Sequence, residues 1–125
     1  MQTLVVDANF LMSAYRFKVD AIDELGRLVA GSFRLVTSTS IILELERISE
    51  KKGVAGPQAR YALSMIRKRG IRIMRTSKEA DYWIEEYCSG TGAIACTNDA
   101  ALRKRLKKNG IKTIALRGKS RLDYV

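Results

Sequence analysis

The sequence predicts an α/β sandwich built on a five-stranded parallel sheet, and three observations carry that prediction. Short apolar runs alternate with longer segments of helical period along the chain. Two of the runs, Leu4-Val5-Val6 and Gly92-Ala93-Ile94-Ala95-Cys96, contain no charge, as strands buried on both faces should. The other three include Arg34, Arg72 and Lys112, which puts the first and fourth strands at the centre of the sheet. No repeat, low-complexity stretch or linker divides the 125 residues, so one domain over 1–125 is expected.

Leu4-Val5-Val6 is the first strand and ends at Asp7. The residues after Asp7 read as a loop. Residues 19–30 then place Val19, Ile22, Leu25, Leu28 and Val29 on one helical face, and Gly31 stops that helix. Residues 33–37 are the second strand. Ser38 suits the N-cap of a helix over 38–50, with Ile41, Leu45 and Ile48 as its apolar stripe. Gly53 and Gly56 flank a loop, and Pro57 opens a helix carrying Ala59, Leu63 and Ile66 inward to a stop at Gly70. Residues 71–74 are the third strand. Ser77 caps a helix carrying Trp83, Ile84 and Tyr87. Residues 92–96 are the fourth strand, and a helix over 99–108 stops at Asn109-Gly110. Residues 111–116 are the fifth strand, followed by a basic tail.

The chain has 46% hydrophobic residues, 23 Lys+Arg against 13 Asp+Glu, a net charge of +10 and no histidine. Without histidine there is no Ser-His-Asp or Cys-His nucleophile, no His acid–base pair and no HExxH zinc site. Chemistry must come from carboxylates, Lys, Tyr, Cys, backbone amides or a bound ion. Cys88 and Cys96 are too few for a four-ligand zinc site and read as two buried thiols of a cytoplasmic protein. The N-terminus lacks the pattern of a signal peptide, and no apolar run approaches the roughly 20 residues of a membrane span.

The placement of four acids is informative. Asp7 stands at the carboxyl end of the first strand and Asp99 just past that of the fourth. If those strands are central neighbours, the two acids lie side by side where parallel sheets bind ligands. Glu44 lies on the apolar side of its helix, an odd place for an unpaired acid. Asp81 opens a helix that only its docking can bring near. Each has a plain structural role open to it: Asp7 an Asx turn, Asp99 a helix cap, Asp81 a helix-dipole partner, Glu44 a pair with Arg47 or Lys51. Together they repel by about 4 kcal/mol per pair at 4 Å and an effective dielectric of 20. A hard divalent cation removes that penalty, and oxygen-only donors select Mg²⁺ or Mn²⁺. Such a site activates water and stabilises a phosphodiester's developing charge.

At these residues the chain resembles the PIN-domain nucleases. Val5-Val6-Asp7-Ala8-Asn9-Phe10-Leu11 is similar to their opening strand and turn, Leu43-Glu44-Leu45-Glu46-Arg47 to their second motif, Ala80-Asp81-Tyr82-Trp83-Ile84 to the third and Ala95-Cys96-Thr97-Asn98-Asp99 to the fourth. The third motif departs from many relatives, which have a second acid where Tyr82 stands. Phe17-Lys18-Val19-Asp20 and Leu116-Arg117-Gly118-Lys119-Ser120-Arg121-Leu122 resemble archaeal relatives of a ribosomal-RNA-processing PIN endonuclease. The resemblance implies a three-layer sandwich of strand order 3-2-1-4-5. It implies that Asp7, Glu44, Asp81 and Asp99 are catalytic and ligate Mg²⁺ or Mn²⁺, with Asn9 and Thr97 in support, and that the substrate is RNA. Glu46 competes with Glu44 but falls off the apolar stripe.

Charge is uneven. Residues 1–90 carry a net +3 and residues 91–125 a net +7. Arg103, Lys104 and Lys107 on the last helix, with Arg117, Lys119 and Arg121 after it, are therefore candidate RNA contacts. Phe10, Tyr15 and Phe17 are candidate base-stacking residues, and Tyr82, Trp83 and Tyr87 a core cluster or homodimer contact. The expected function is a metal-dependent endoribonuclease of ribosomal RNA maturation. The alternatives are a VapC-type toxin, which would have an antitoxin partner, and a non-catalytic RNA-binding scaffold. A phosphoacceptor receiver domain is disfavoured, because Arg75-Thr76 stands where it needs an acid.

Overall fold

The computed structural model describes residues 1–18, 20–118 and 121–125; Val19, Lys119 and Ser120 lie outside the described residues. In chain order the elements are β1 (Gln2–Val6), α1 (Ala8–Arg16), α2 (Ala21–Leu28), β2 (Phe33–Ser38), α3 (Thr39–Ser49), α4 (Ala55–Lys68), β3 (Arg72–Met74), α5 (Ala80–Thr91), β4 (Ile94–Cys96), α6 (Ala100–Lys108), β5 (Thr113–Arg117) and β6 (Arg121–Tyr124). The strands form one sheet in the order β3-β2-β1-β4-β5-β6, with helices on both sides. The first five are parallel, in the order 3-2-1-4-5 expected. β1 and β4 are the central neighbours, and Leu4, Val5, Val6, Ile94, Ala95 and Cys96 are all buried.

Two elements were not expected. The segment after Asp7 is helix α1 rather than a loop. It buries Ala8, Phe10, Leu11 and Ala14 at helical spacing, but in only nine residues, too short a window to stand out. The basic tail turns back as β6, antiparallel to β5. Only Leu122 of β6 is buried, while Arg121 and Asp123 carry charge along the sheet's edge. A charged edge strand resists pairing with other chains, and its pattern is easily taken for a solvated tail.

Boundaries shift in several places. α4 begins at Ala55, so Gly56 is helical rather than part of the loop, α2 is shorter at both ends, and β5 runs over Thr113–Arg117. α5 begins at Ala80 after Glu79, and Ser77 does not cap it. β4 begins at Ile94, because Gly92 (φ 74°) closes α5 in the left-handed conformation that glycine adopts freely. Ser38 caps α3 as expected, accepting from the Ile41 amide at 3.3 Å. α1, α3 and α4 pack together, and α5 lies against β4. Cys88 and Cys96 are free, buried thiols. Among the described residues, no helix is long and apolar enough to cross a membrane.

Candidate active site at the carboxyl edge of the sheet

Pairing of β1 with β4 sets the first half of the site. Asp7 leaves β1 as the N-cap of α1, and its backbone amide donates to the Cys96 carbonyl at 3.0 Å. The next residue after Cys96, Thr97, donates its hydroxyl to Asp7 Oδ2 at 2.8 Å, while Asp7 Oδ1 accepts from the Ala8 amide at 2.8 Å. Thr97 Oγ1 also accepts from the Asp99 amide at 3.2 Å. One buried hydroxyl thus links the side chain of Asp7 to the backbone of Asp99. Asp99 caps α6, with Oδ1 accepting from the Leu102 amide at 3.1 Å. Asp99 fills the plain role open to it, Asp7 caps a helix instead of forming an Asx turn, and both keep lone pairs on their oxygens.

Asn9 continues this network. Its Oδ1 accepts from the Asn98 amide at 2.9 Å and lies 3.4 Å from Thr97 Oγ1. Asn98 donates from Nδ2 to Ser13 Oγ at 2.6 Å and accepts at Oδ1 from the Leu116 amide at 2.9 Å. Ser13 and Asn98 were not singled out in the sequence. Each supports the site through a partner far along the chain, which residue type alone does not reveal.

The other two acids arrive on helices. Glu44 is carried by α3, half-buried beside the fully buried Leu45. Asp81 is in the first turn of α5. The chain between β3 and α5 crosses the sheet edge, and Thr39 at the start of α3 pins that crossing. Its hydroxyl donates to the Thr76 carbonyl and accepts from the Thr76 amide, both at 3.0 Å. This contact holds the chain just ahead of α5, the helix that carries Asp81.

The electrostatics join the four. Burial pushes the Asp7 carboxyl up to about 6, against hydrogen bonds from Thr97 and Ala8, with the charges of Glu44 and Asp81 adding to the rise. Glu44 is raised by burial and by Asp81; Asp81 is raised by burial and by Asp99. As the side chains stand, no three acids among the described residues are gathered tightly enough to grip one ion.

Ion pairing and exposure together separate these four acids from the other nine. Asp20, Asp23, Glu24, Glu85, Glu86 and Asp123 each have a basic partner. Glu46, Glu50 and Glu79 are exposed and solvated. Asp7, Glu44, Asp81 and Asp99 are the shielded acids with no ion pair among the described residues, in a chain with 23 Lys+Arg. Neither Arg47 nor Lys51 bridges Glu44; Arg47 only lowers its carboxyl through space. Shielded carboxylates left without cations are expected where another cation binds. The donor set is all oxygen, which fits Mg²⁺ or Mn²⁺ and not zinc or copper.

A basic groove adjoins the acids. Arg103, Lys104, Lys107 and Arg117 line it between α6 and β5, and it begins at Ala100, next to Asp99. Arg121 stands directly across from Arg117 in the β5–β6 pair. Lys119 lies outside the described residues. Arg105, on another side of α6, instead bridges Glu85 at 2.8 Å and sits over the exposed Tyr82 ring. Phe10 is core rather than a stacking residue, Tyr15 packs against Tyr61, and Phe17 is half-buried beneath Arg16. Trp83 is buried and stacked on Tyr87.

A parallel sheet in this order, with acids gathered at its carboxyl edge, defines a PIN-type α/β domain. The chain belongs to the PIN-like domain family, which residues 4–119 match. It is 32% identical over 108 residues to ribonuclease VapC9 of Archaeoglobus fulgidus, covering 86% of this chain and 77% of that protein. It is 28% identical over 123 residues to ribonuclease VapC4 of Methanocaldococcus jannaschii, covering 95% and 93%. Its fold is similar to that of the PIN domain endonuclease Utp24, with a TM-score of 0.82, 20% identity, and 98% and 90% of the two chains covered.

Proposed function

We propose that this protein is a metal-dependent endoribonuclease, acting as one PIN-like domain over residues 1–125. The observation that carries this is the set of four shielded carboxylates with no ion pair among the described residues, beside a basic groove. Asp7, Glu44, Asp81 and Asp99 would hold Mg²⁺ or Mn²⁺. When bound, such an ion supplies Lewis acidity toward a phosphodiester and its attacking water. Thr97 and Asn9 would support this set: the Thr97 hydroxyl donates to the Asp7 carboxylate and accepts from the Asp99 backbone amide, and Asn9 Oδ1 accepts from the Asn98 amide. Arg103, Lys104, Lys107, Arg117, Lys119 and Arg121 would bind the phosphates on either side of the cut. The two free, buried thiols suit the reducing cytoplasm.

For the RNA itself we propose a ribosomal precursor, on the likeness of residues 17–20 and 116–122 described above. The two VapC relatives favour a second reading, a toxin paired with an antitoxin. Expression in a heterologous host separates the two. A toxin arrests growth and is relieved by the product of an adjacent gene; a processing enzyme cuts precursor RNA and leaves growth unchanged.

RNA cleavage with Mn²⁺ by wild type, Asp7→Asn and Asp99→Asn tests the nuclease itself. Wild type is expected to cut and both variants to lose at least a hundredfold. Equal cutting by all three makes the activity a contaminant and the assigned site wrong. Binding without cutting by all three favours an RNA-binding scaffold.

A further inference from the structure

A second cleft opens beside the acids, between α1 and the end of β5. We infer that it holds the base of a nucleotide adjoining the cut, and that Gln58 sets which base is preferred. This rests on the ribonuclease reading above.

Four residues of α1, Asn9, Met12, Ser13 and Arg16, follow the i, i+3, i+4, i+7 spacing of one helical face and form one wall. Asn9 is the acid-site end of that wall. Arg16 lies about 10 Å further along, at 1.5 Å per residue. Leu116 and Gly118 form the facing wall, and Gln58 of α4 completes the lining. The cleft has a volume of about 370 Å³, within the range of small-molecule sites. Leu116 and Gly118 also line the basic groove, so the two are continuous. A strand held by its phosphates along α6 therefore runs past Asp99 and Asn9 into the cleft.

The lining suits a base rather than another phosphate. The Arg16 guanidinium lies over the Phe17 ring, 5.0 Å from its centroid, and makes a flat cationic platform. Unpaired RNA bases stack on arginine and aromatic planes of this kind. Three side-chain amides line the cleft, and the oxygen of one, Asn9, is already taken by the Asn98 backbone amide. The Asn98 amide is committed at both ends, to Ser13 and Leu116, so it shapes the cleft. The Gln58 amide has no protein partner among the described residues and offers one acceptor and two donors. A side-chain amide facing a base edge discriminates between bases by roughly tenfold.

Cleavage of a randomised single-stranded RNA pool with Mn²⁺, followed by sequencing of the ends, tests the inference. Wild type is expected to prefer one base at one position beside the cut. Gln58→Ala should flatten that preference about tenfold, and Gln58→Glu should change which base is favoured. An unchanged preference in both variants, or cutting by wild type with no preference, overturns the subsite and leaves the nuclease standing. A binding measurement covers the opposite failure. Asp7→Asn and Asp7→Asn/Gln58→Ala are titrated with pentanucleotides of A, C, G and U. Base-selective binding that disappears with Gln58, in a protein whose wild type cuts nothing, upholds the subsite and overturns the nuclease. Equal binding of all four by Asp7→Asn overturns the subsite.

Discussion

Asp7 is 5% exposed, and burial pushes its carboxyl from the ordinary 3.8 up to about 6. An acid with a raised folded-state value favours folding most when protonated. Its contribution is fully present below 3.8 and is lost as pH rises through about 6. The difference amounts to about 3 kcal/mol. Asp7→Asn should remove that loss. The amide oxygen can still accept from Ala8, and the Thr97 hydroxyl can turn its proton toward Asn9 Oδ1, 3.4 Å away. In metal-chelated urea denaturation, the variant should exceed wild type by about 2 to 3 kcal/mol at pH 7.5 and match it near pH 4. Equal stability at both pH values would show that Asp7 is not held against its own charge. Glu44 and Glu46 offer a second contrast two residues apart. Glu44 is half-buried and feels Asp81, whereas Glu46 is exposed. Glu44→Gln is expected to lose at least a hundredfold in RNA cleavage and Glu46→Gln less than threefold, measured side by side with Mn²⁺.

Helix starts position the site as much as strand ends do. α3 begins with Thr39, whose hydroxyl holds both backbone groups of Thr76. Thr39→Val keeps the shape and strands those two groups, at about 1 to 2 kcal/mol of stability. It should also let the start of α5 drift, so cleavage is expected to fall by more than tenfold at a temperature where the variant is fully folded by circular dichroism. α4 has a tighter entry. A Cβ on Gly56 would stand 2.4 Å from the backbone oxygen of Lys51. Gly56→Ala is thus expected to lower stability by about 2 kcal/mol, although alanine is the better helix former. Thermal unfolding checks this, and a stabilised variant would refute the close approach. These contacts also explain what the sequence made legible. Asp7 and Asp99 could be paired because charge-free strands are central, and neighbouring strand ends share an edge. Glu44 stood out as an acid on an apolar stripe. The docking of Asp81 could not be read, because contacts ahead of its helix, such as Thr39 with Thr76, join residues 37 apart in the chain. α1 was too short for its period to register, and β6 hid its single buried residue, Leu122, among charges.

Across the whole molecule the charges divide into an acidic site and a basic groove that meet at Asp99 and Ala100. This division bears on how a chain of net +10 would hold RNA. A diffuse positive charge attracts polyanions from every side, and any three cations should then be interchangeable. A groove makes specific cations matter. Arg117 and Arg121 face each other across the β5–β6 pair, where like charges are unfavourable unless an anion lies between them. Arg117 is only loosely offset by Asp123, at 3.7 Å. Lys104, Lys107 and Arg117 line the groove together. Each phosphate contact on single-stranded RNA adds about 0.7 to the slope of log affinity against log salt concentration. Replacing these three by Gln should therefore lower the slope by about 2. Arg67, Lys68 and Arg72 are equally exposed but stand at the end of α4 and the start of β3, on the opposite edge of the sheet. Replacing them by Gln removes the same net charge and should leave the slope within about 0.5 of wild type. Fluorescence anisotropy of a labelled RNA between 50 and 300 mM salt, with Asp7→Asn as the common background to prevent cutting, measures both. Equal slopes for the two triple variants would return the +10 to a general attraction and remove the groove from the account of substrate binding.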